Sequence, residues 1–228
     1  MQFLEQNIKG CCAKFGVDFY QFLKDFQVDS VSELSILDLE AIAEEYEVDV
    51  YSLLFKPLFV FEHLTAKLKK IKLVILDVDG VMTDGGMYYT EQGDQMKKYN
   101  TKDGMAILKA QEQGLEFGII SSAFVDKMVR NRAETLKIKH VYVGRDKKID
   151  VLRGWSDQLG IALDQIAIIG DDINDLSIME QVGISACPKD AVQLVKHQAD
   201  IVLTKKGGEG VVREFVDNFL LPEPIRHF

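Results

Sequence analysis

From Ile71 onward, short apolar runs alternate with amphipathic stretches of about 10–15 residues, the pattern of βαβ units in a parallel sheet. Six runs read as strands: Lys72–Leu76, Glu116–Ile120, His140–Val143, Ile166–Ile169, Ile184–Ala186 and Ile201–Leu203. Between them Gly104–Gln113, Asp126–Leu136, Lys148–Leu159, Asn174–Val182 and Asp190–His197 read as helices. An insertion, Gly85–Asn100, has aromatic, Thr and Gly content suited to a β-hairpin turning near Gln92-Gly93. Together they predict a doubly wound α/β domain over residues 71–228.

Before Ile71 the period changes. Leu39, Ile42, Ala43 and Tyr46 fall at helical spacing after a cap at Ser35 or Asp38, while Phe15, Phe19, Phe22, Leu23 and Phe26 form a second apolar stripe. Residues 1–70 are therefore predicted as a small all-α extension of three or four short helices. The stretch DLEAIAEEYEVDVYSLLF resembles the closing helices of repressor-type helix-turn-helix domains. This region has 7 Lys, no Arg and 12 Asp or Glu, which argues against groove binding and favours a helical packing or assembly role.

Charge narrows the partners. With 27 basic and 36 acidic residues the chain carries a net charge of −9, the wrong sign for holding nucleic acid through its phosphates. The segment LLFKPLFVFEHL is broken by Lys56, Pro57, Glu62 and His63 and falls short of the ~20 residues of a spanning helix, so no membrane span is expected. The start MQFLEQNIKGCC lacks the features of a secretory signal, and Cys11, Cys12 and Cys187 suit neither a disulfide framework nor a zinc site. A cytoplasmic location is expected.

In doubly wound sheets ligands bind beyond the carboxyl ends of the strands. There the sequence places DVDGVMTDG, with Asp77 and Asp79 two positions apart, then Ser121, then GRDKK with Lys147 and Lys148, then GDDIND with Asp171, Asp172 and Asp175. Carboxylates gathered at one place need a compensating cation, most simply Mg²⁺ with oxygen ligands. A lysine and a serine beside them suit an anionic substrate, and a phosphate is the economical choice.

In this order, these residues resemble the four motifs of the haloacid dehalogenase superfamily of phosphohydrolases, over residues 71–220. The resemblance implies that Asp77 attacks phosphorus to form an aspartyl-phosphate and that Asp79 serves as acid and then base. It also implies that Asp77, Asp171 and the main-chain carbonyl of Asp79 hold Mg²⁺, that Asp172 and Asp175 orient this shell, and that Ser121 and Lys148 bind the transferring phosphoryl group. Lys147 is the nearest rival to Lys148.

A narrower resemblance rests on DGGMYYTEQGDQMKKYNTKDGMAI and TKKGGEGVVREF. It points to the capless branch acting on 3-deoxy-2-keto sugar acid phosphates: octulosonate 8-phosphate and nonulosonate 9-phosphate phosphatases. The 27 positions from Asp77 to Gly104 allow a hairpin and no globular cap. This likeness implies a homotetramer, a sugar phosphate substrate, and substrate contacts from Asn100, Thr101, Lys102, Asp103, Gly104 and Arg132. Ser122-Ala123 stand where octulosonate phosphatases read Gly-Arg, and KKYNT, RNRAETL and KKGGEGVVREF are closer to the nonulosonate type. A broad-specificity phosphatase and a scaffold using the N-terminal helices are the alternative readings.

Overall fold

The apolar run after Lys72 forms strand β1 (Leu73–Leu76), fully buried, which occupies the middle of a parallel sheet. The computed structural model describes residues 3–15, 17–55, 58, 60–92, 95–123 and 126–221. The chain divides between Ala66 and Lys67 into two compact units.

In the second unit β4 (Glu116–Ser121), β5 (His140–Val143), β6 (Ile166–Ile169), β7 (Ile184–Cys187) and β8 (Ile201–Val202) join β1 in the order β5-β4-β1-β6-β7-β8. Ladder contacts are parallel throughout, with Leu73 opposite Glu116 on one side and Ile166 on the other. β1 thus separates β4 and β5 from β6 to β8, and the chain changes direction across it, which opens a crevice at the strand tips. The predicted doubly wound α/β architecture is what forms. β2 (Tyr88–Tyr89) and β3 (Gln95–Met96) pair antiparallel within the insertion. Gly93 of the expected turn lies outside the described residues.

Helices α6 (Thr101–Glu112), α7 (Lys127–Thr135), α8 (Lys148–Leu159) and α10 (Gln193–Gln198) cross between strands, and α11 (Val211–Phe215) follows β8. One core cluster under the sheet joins Leu73, Ile75, Ile120, Leu152, Ile166 and Ile168.

Three expected boundaries move, each for a hydrogen-bonding reason. α6 starts at Thr101 and not at Gly104, because Asn100 caps it by accepting the Lys102 N–H at 2.9 Å. The helix expected over Asn174–Val182 is a 3₁₀ turn, Ile173–Asp175, followed by the single turn α9 (Leu176–Met179). It stops because the Gly183 N–H turns to Leu163 and Ile166 carbonyls. α10 begins three residues late because the Val192 N–H is bonded to Asp171 O at 3.0 Å.

The first unit contains α1 (Leu4–Phe15), α2 (Phe19–Asp25), α3 (Ile36–Glu45) and α4 (Val50–Phe55), and α5 (Val60–Leu68) begins within it. Ser35 is the cap of α3, in a reciprocal box with Asp38. Leu39, Ile42 and Tyr46 pack with Leu4, Ile8, Phe22, Leu23 and Leu53. Asn7, fully buried, ties α1 to the other end of this unit: Nδ2 donates to Leu53 O at 2.8 Å and Oδ1 accepts the Leu58 N–H at 2.9 Å.

Candidate active site

The sheet delivers its polar residues to one place. Asp77 directly follows β1 and is 7% exposed; Ser121 ends β4 and is 2% exposed; Asp171 lies just beyond β6. Lys148 is the first residue of α8, and its ammonium donates to Asp77 Oδ1 and Asp175 Oδ1, each at 2.7 Å. Lys147 precedes that helix with an exposed side chain.

Asp175 is completely buried and uses both oxygens. Oδ1 takes Lys148, while Oδ2 accepts the N–H groups of Asp171 at 3.1 Å and Asp172 at 3.5 Å. It therefore braces the loop after β6. Asp172 caps the turn through the Ile173 N–H and is exposed.

Asp77, Asp171 and Asp175 each offer one oxygen, all within 4.8 Å of one another. Burial, reinforced by the charge of Asp175, pushes Asp77 up to about 7. Asp171 rises to about 8, again by burial first and by the charges of Asp77, Asp175 and Asp172 after it. Burial opposes the charge on Lys148, but Asp77 and Asp175 together outweigh it and raise its pKa. Asp171 Oδ1 is buried and has no partner among the described residues. An acidic cluster with one ammonium and an unpartnered carboxylate oxygen fits a hard divalent cation.

The turn Val78–Met82 carries the second aspartate over this cluster. Asp79 is extended and Gly80 is left-handed at φ 90°. A side chain at Gly80 would put its Cβ 2.0 Å from Asp171 Oδ2, so only glycine allows the two loops to touch. Asp79 is ion-paired with Lys97, whose side chain is 4% exposed, and accepts from Thr83 Oγ1 at 3.4 Å.

A cavity of about 350 Å³ opens over these groups, lined by Asp77, Asp79, Lys97, Ser121, Arg145 and Asp171 among others. Lys97, Arg145 and Asn174, with Tyr89 and Met87 from the hairpin, are lining residues that sequence reasoning missed. The run KKYN carried Lys97 in plain view, but pairing with Asp79 depends on how the hairpin folds back. Ser121 Oγ accepts the Ala123 N–H at 3.2 Å, which leaves its own proton to donate toward the cavity.

Asn100, Thr101, Lys102, Asp103, Gly104 and Arg132 are not among the residues lining this cavity. Thr101 and Lys102 are exposed. Arg132 donates to Asn100 O at 3.2 Å, sits over the Tyr99 ring at 5.4 Å and crosses Gly104 so closely that a Cβ there would meet Nη2 at 2.6 Å. Asn100 holds the segment before α11 through Gly208 O at 3.0 Å, and Asp103 accepts the N–H of Arg213, inside α11, at 2.7 Å.

A family model described as a haloacid dehalogenase-like hydrolase matches residues 140–215. The chain is 38% identical over 164 residues to the 3-deoxy-D-manno-octulosonate 8-phosphate phosphatase KdsC of Salmonella typhi, covering 72% of this chain and 87% of that protein. The crystal structure of the Yersinia pestis 3-deoxy-D-manno-octulosonate 8-phosphate phosphatase matches with a TM-score of 0.67 at 37% identity, over 69% of this chain and 85% of that one. That of the Moraxella catarrhalis phosphatase, in complex with magnesium ion, phosphate ion and a KDO molecule, gives 0.67 at 33% identity, over 70% and 91%. Sequence likeness over most of both chains and a matching fold agree, and the chain belongs to the 3-deoxy-D-manno-octulosonate 8-phosphate phosphatases within the haloacid dehalogenase-like hydrolases.

Proposed function

We propose that this chain, a phosphatase of the haloacid dehalogenase type, removes phosphate from a 2-keto-3-deoxy sugar acid phosphate in the presence of Mg²⁺. 3-Deoxy-D-manno-octulosonate 8-phosphate is the leading substrate and a nonulosonate 9-phosphate the second. The observation that carries the reading is the buried Asp77–Lys148–Asp175 ion cluster, with Asp171 beside it, at a cavity that Asp79 also lines.

Asp77 attacks phosphorus through a carboxylate oxygen while the bond to the sugar oxygen breaks. Asp79 gives its proton to that departing oxygen, then takes one from the water that cleaves the aspartyl-phosphate, releasing inorganic phosphate and restoring Asp77. Lys97 and Thr83 fix the Asp79 carboxylate for both transfers. Lys148 holds Asp77 in place and, with Ser121, meets the phosphoryl oxygens. Asp77, Asp171 and the Asp79 main-chain carbonyl would hold Mg²⁺, which when bound supplies charge neutralisation at those oxygens.

The hairpin exposes Met87, Tyr88, Tyr89 and Met96, each at least half exposed. Such a patch supports assembly through this hairpin as a homotetramer. Among the described residues no helix is long and apolar enough to cross a membrane. Acid quenching during turnover of radiolabelled substrate tests the chemistry: label is expected on the parent protein and not on Asp77→Asn. Unlabelled parent protein during active turnover would refute the covalent step.

A further inference from the structure

We infer that Asn100, through the Gly207–Gly208 peptide, and Asp103, through the α11 residue Arg213 that follows it, are positioning residues for the Asp77–Asp79 loop; the inference rests on the phosphatase reading above.

Asn100 is committed through both side-chain polar atoms and Asp103 through one oxygen, its Oδ2 being buried without a partner among the described residues. Asn100 spends Oδ1 on the Lys102 N–H and Nδ2 on Gly208 O, and Asp103, 3% exposed, receives the Arg213 N–H. Neither lines the cavity. What Asn100 grips presses on the catalytic turn from behind. The Gly208 N–H donates to Val81 O at 2.9 Å, and Gly207 is held from its other side by Asp190 Oδ1 at 3.0 Å.

The contact leaves no room for side chains. A Cβ on Gly207 would fall 1.9 Å from Gly80 O, and one on Gly208 would fall 2.6 Å from the Asp84 nitrogen. Gly80 in turn packs on Asp171, so the path runs from Asn100 through Gly208 and Gly207 to Gly80, and from there to Asp79 and Asp171, while Asp103 fixes the helix that follows the two glycines through Arg213. A close-packed interior passes on a small displacement instead of absorbing it. Misplacing reacting groups by about 1 Å costs roughly 100-fold in rate.

Asn100→Asp and Asp103→Asn form a matched pair of tests. Asn100→Asp keeps the helix cap but sets a carboxylate against Gly208 O, whereas Asp103→Asn keeps an oxygen for the Arg213 N–H. Steady-state kinetics on p-nitrophenyl phosphate and on the sugar acid phosphate are measured with Mg²⁺, together with amide hydrogen exchange of the intact chain. Asn100→Asp is expected to lower kcat by about tenfold to 100-fold on both substrates, with KM changed less than about threefold, and to speed exchange at Gly208 while β1 and β4 stay protected. Asp103→Asn is expected to keep parental kcat, and Asp103→Ala to behave like Asn100→Asp. A rise in KM confined to the sugar acid, equal losses in Asp103→Asn and Asp103→Ala, or unchanged exchange at Gly208 would overturn the inference. A parent chain inactive on both substrates would instead sink the phosphatase reading, and the exchange data would still decide whether Asn100 holds the glycine segment.

Discussion

The Lys148 ammonium lies 2.7 Å from the Asp77 carboxylate, 71 positions earlier in the chain, and both side chains are nearly sealed from solvent. Removing the cation leaves Asp77 and Asp175 buried and unpaired. Lys148→Met is expected to lower kcat by at least about 100-fold and to cost about 3 kcal/mol in metal-free buffer. Lys147→Met, at an exposed position, is expected to change neither by much. Urea unfolding with chelator, set beside phosphate release, checks both; equal effects at the two lysines would contradict the assignment.

Gly80 supports a second prediction. Its positive φ and its contact with Asp171 Oδ2 both exclude a side chain. Gly80→Ala is expected to push Asp171 aside, lower kcat by about 100-fold and weaken Mg²⁺ binding measured by calorimetry, with the circular dichroism spectrum preserved. Unaltered Mg²⁺ affinity would show that the loops can part without consequence.

Asp103 makes stability depend on pH. Burial lifts it to about 6, against the lowering effect of the Arg213 and Val212 N–H groups and of the Arg132 charge. The folded chain therefore binds this proton more tightly than the unfolded one. The resulting stabilisation is complete below about pH 4 and is lost as pH rises through 6. Asp103→Asn is expected to match the parent near pH 4 and to exceed it by about 2–3 kcal/mol at pH 7.5. Urea titrations at several pH values test this, and parallel stability curves would refute it.

Much of the architecture was legible because its signals are local. The run of four apolar residues ending at Leu76 reads as a buried strand whatever surrounds it, and so does Ile166–Ile169. Asp77, Ser121 and Asp171 follow such runs, so sequence order already put them at the strand tips. What stayed hidden depends on contacts far apart in sequence. The burial of Lys148 between Asp77 and Asp175 needed the tertiary fold, and the Lys97–Asp79 pair needed the fold of the hairpin. Asn100 and Asp103 read as substrate contacts by resemblance, while their bonds to Gly208 and Arg213 span more than 100 positions. The short turn Ile173–Asp175 replaced a helix because Asp175 serves Lys148 and the Asp171 and Asp172 N–H groups together.

All residues assigned to the site lie in the second unit, and each unit has its own apolar cluster. A chain starting at Lys67 is therefore expected to fold and to retain kcat within about threefold, leaving the acidic helical unit a separate task. Loss of activity with the fold intact would tie that unit to catalysis.

The most direct measurement is Mg²⁺-dependent phosphate release from a panel of octulosonate 8-phosphate, nonulosonate 9-phosphates, hexose phosphates and nucleotides, with Asp77→Asn as the blank. A marked preference for one keto-deoxy sugar acid phosphate, abolished in the blank, is the predicted result. Weak, even release from every member would contradict the sugar acid assignment and favour a broad phosphatase, and release that survives Asp77→Asn would contradict the role of the buried Asp77–Lys148 pair.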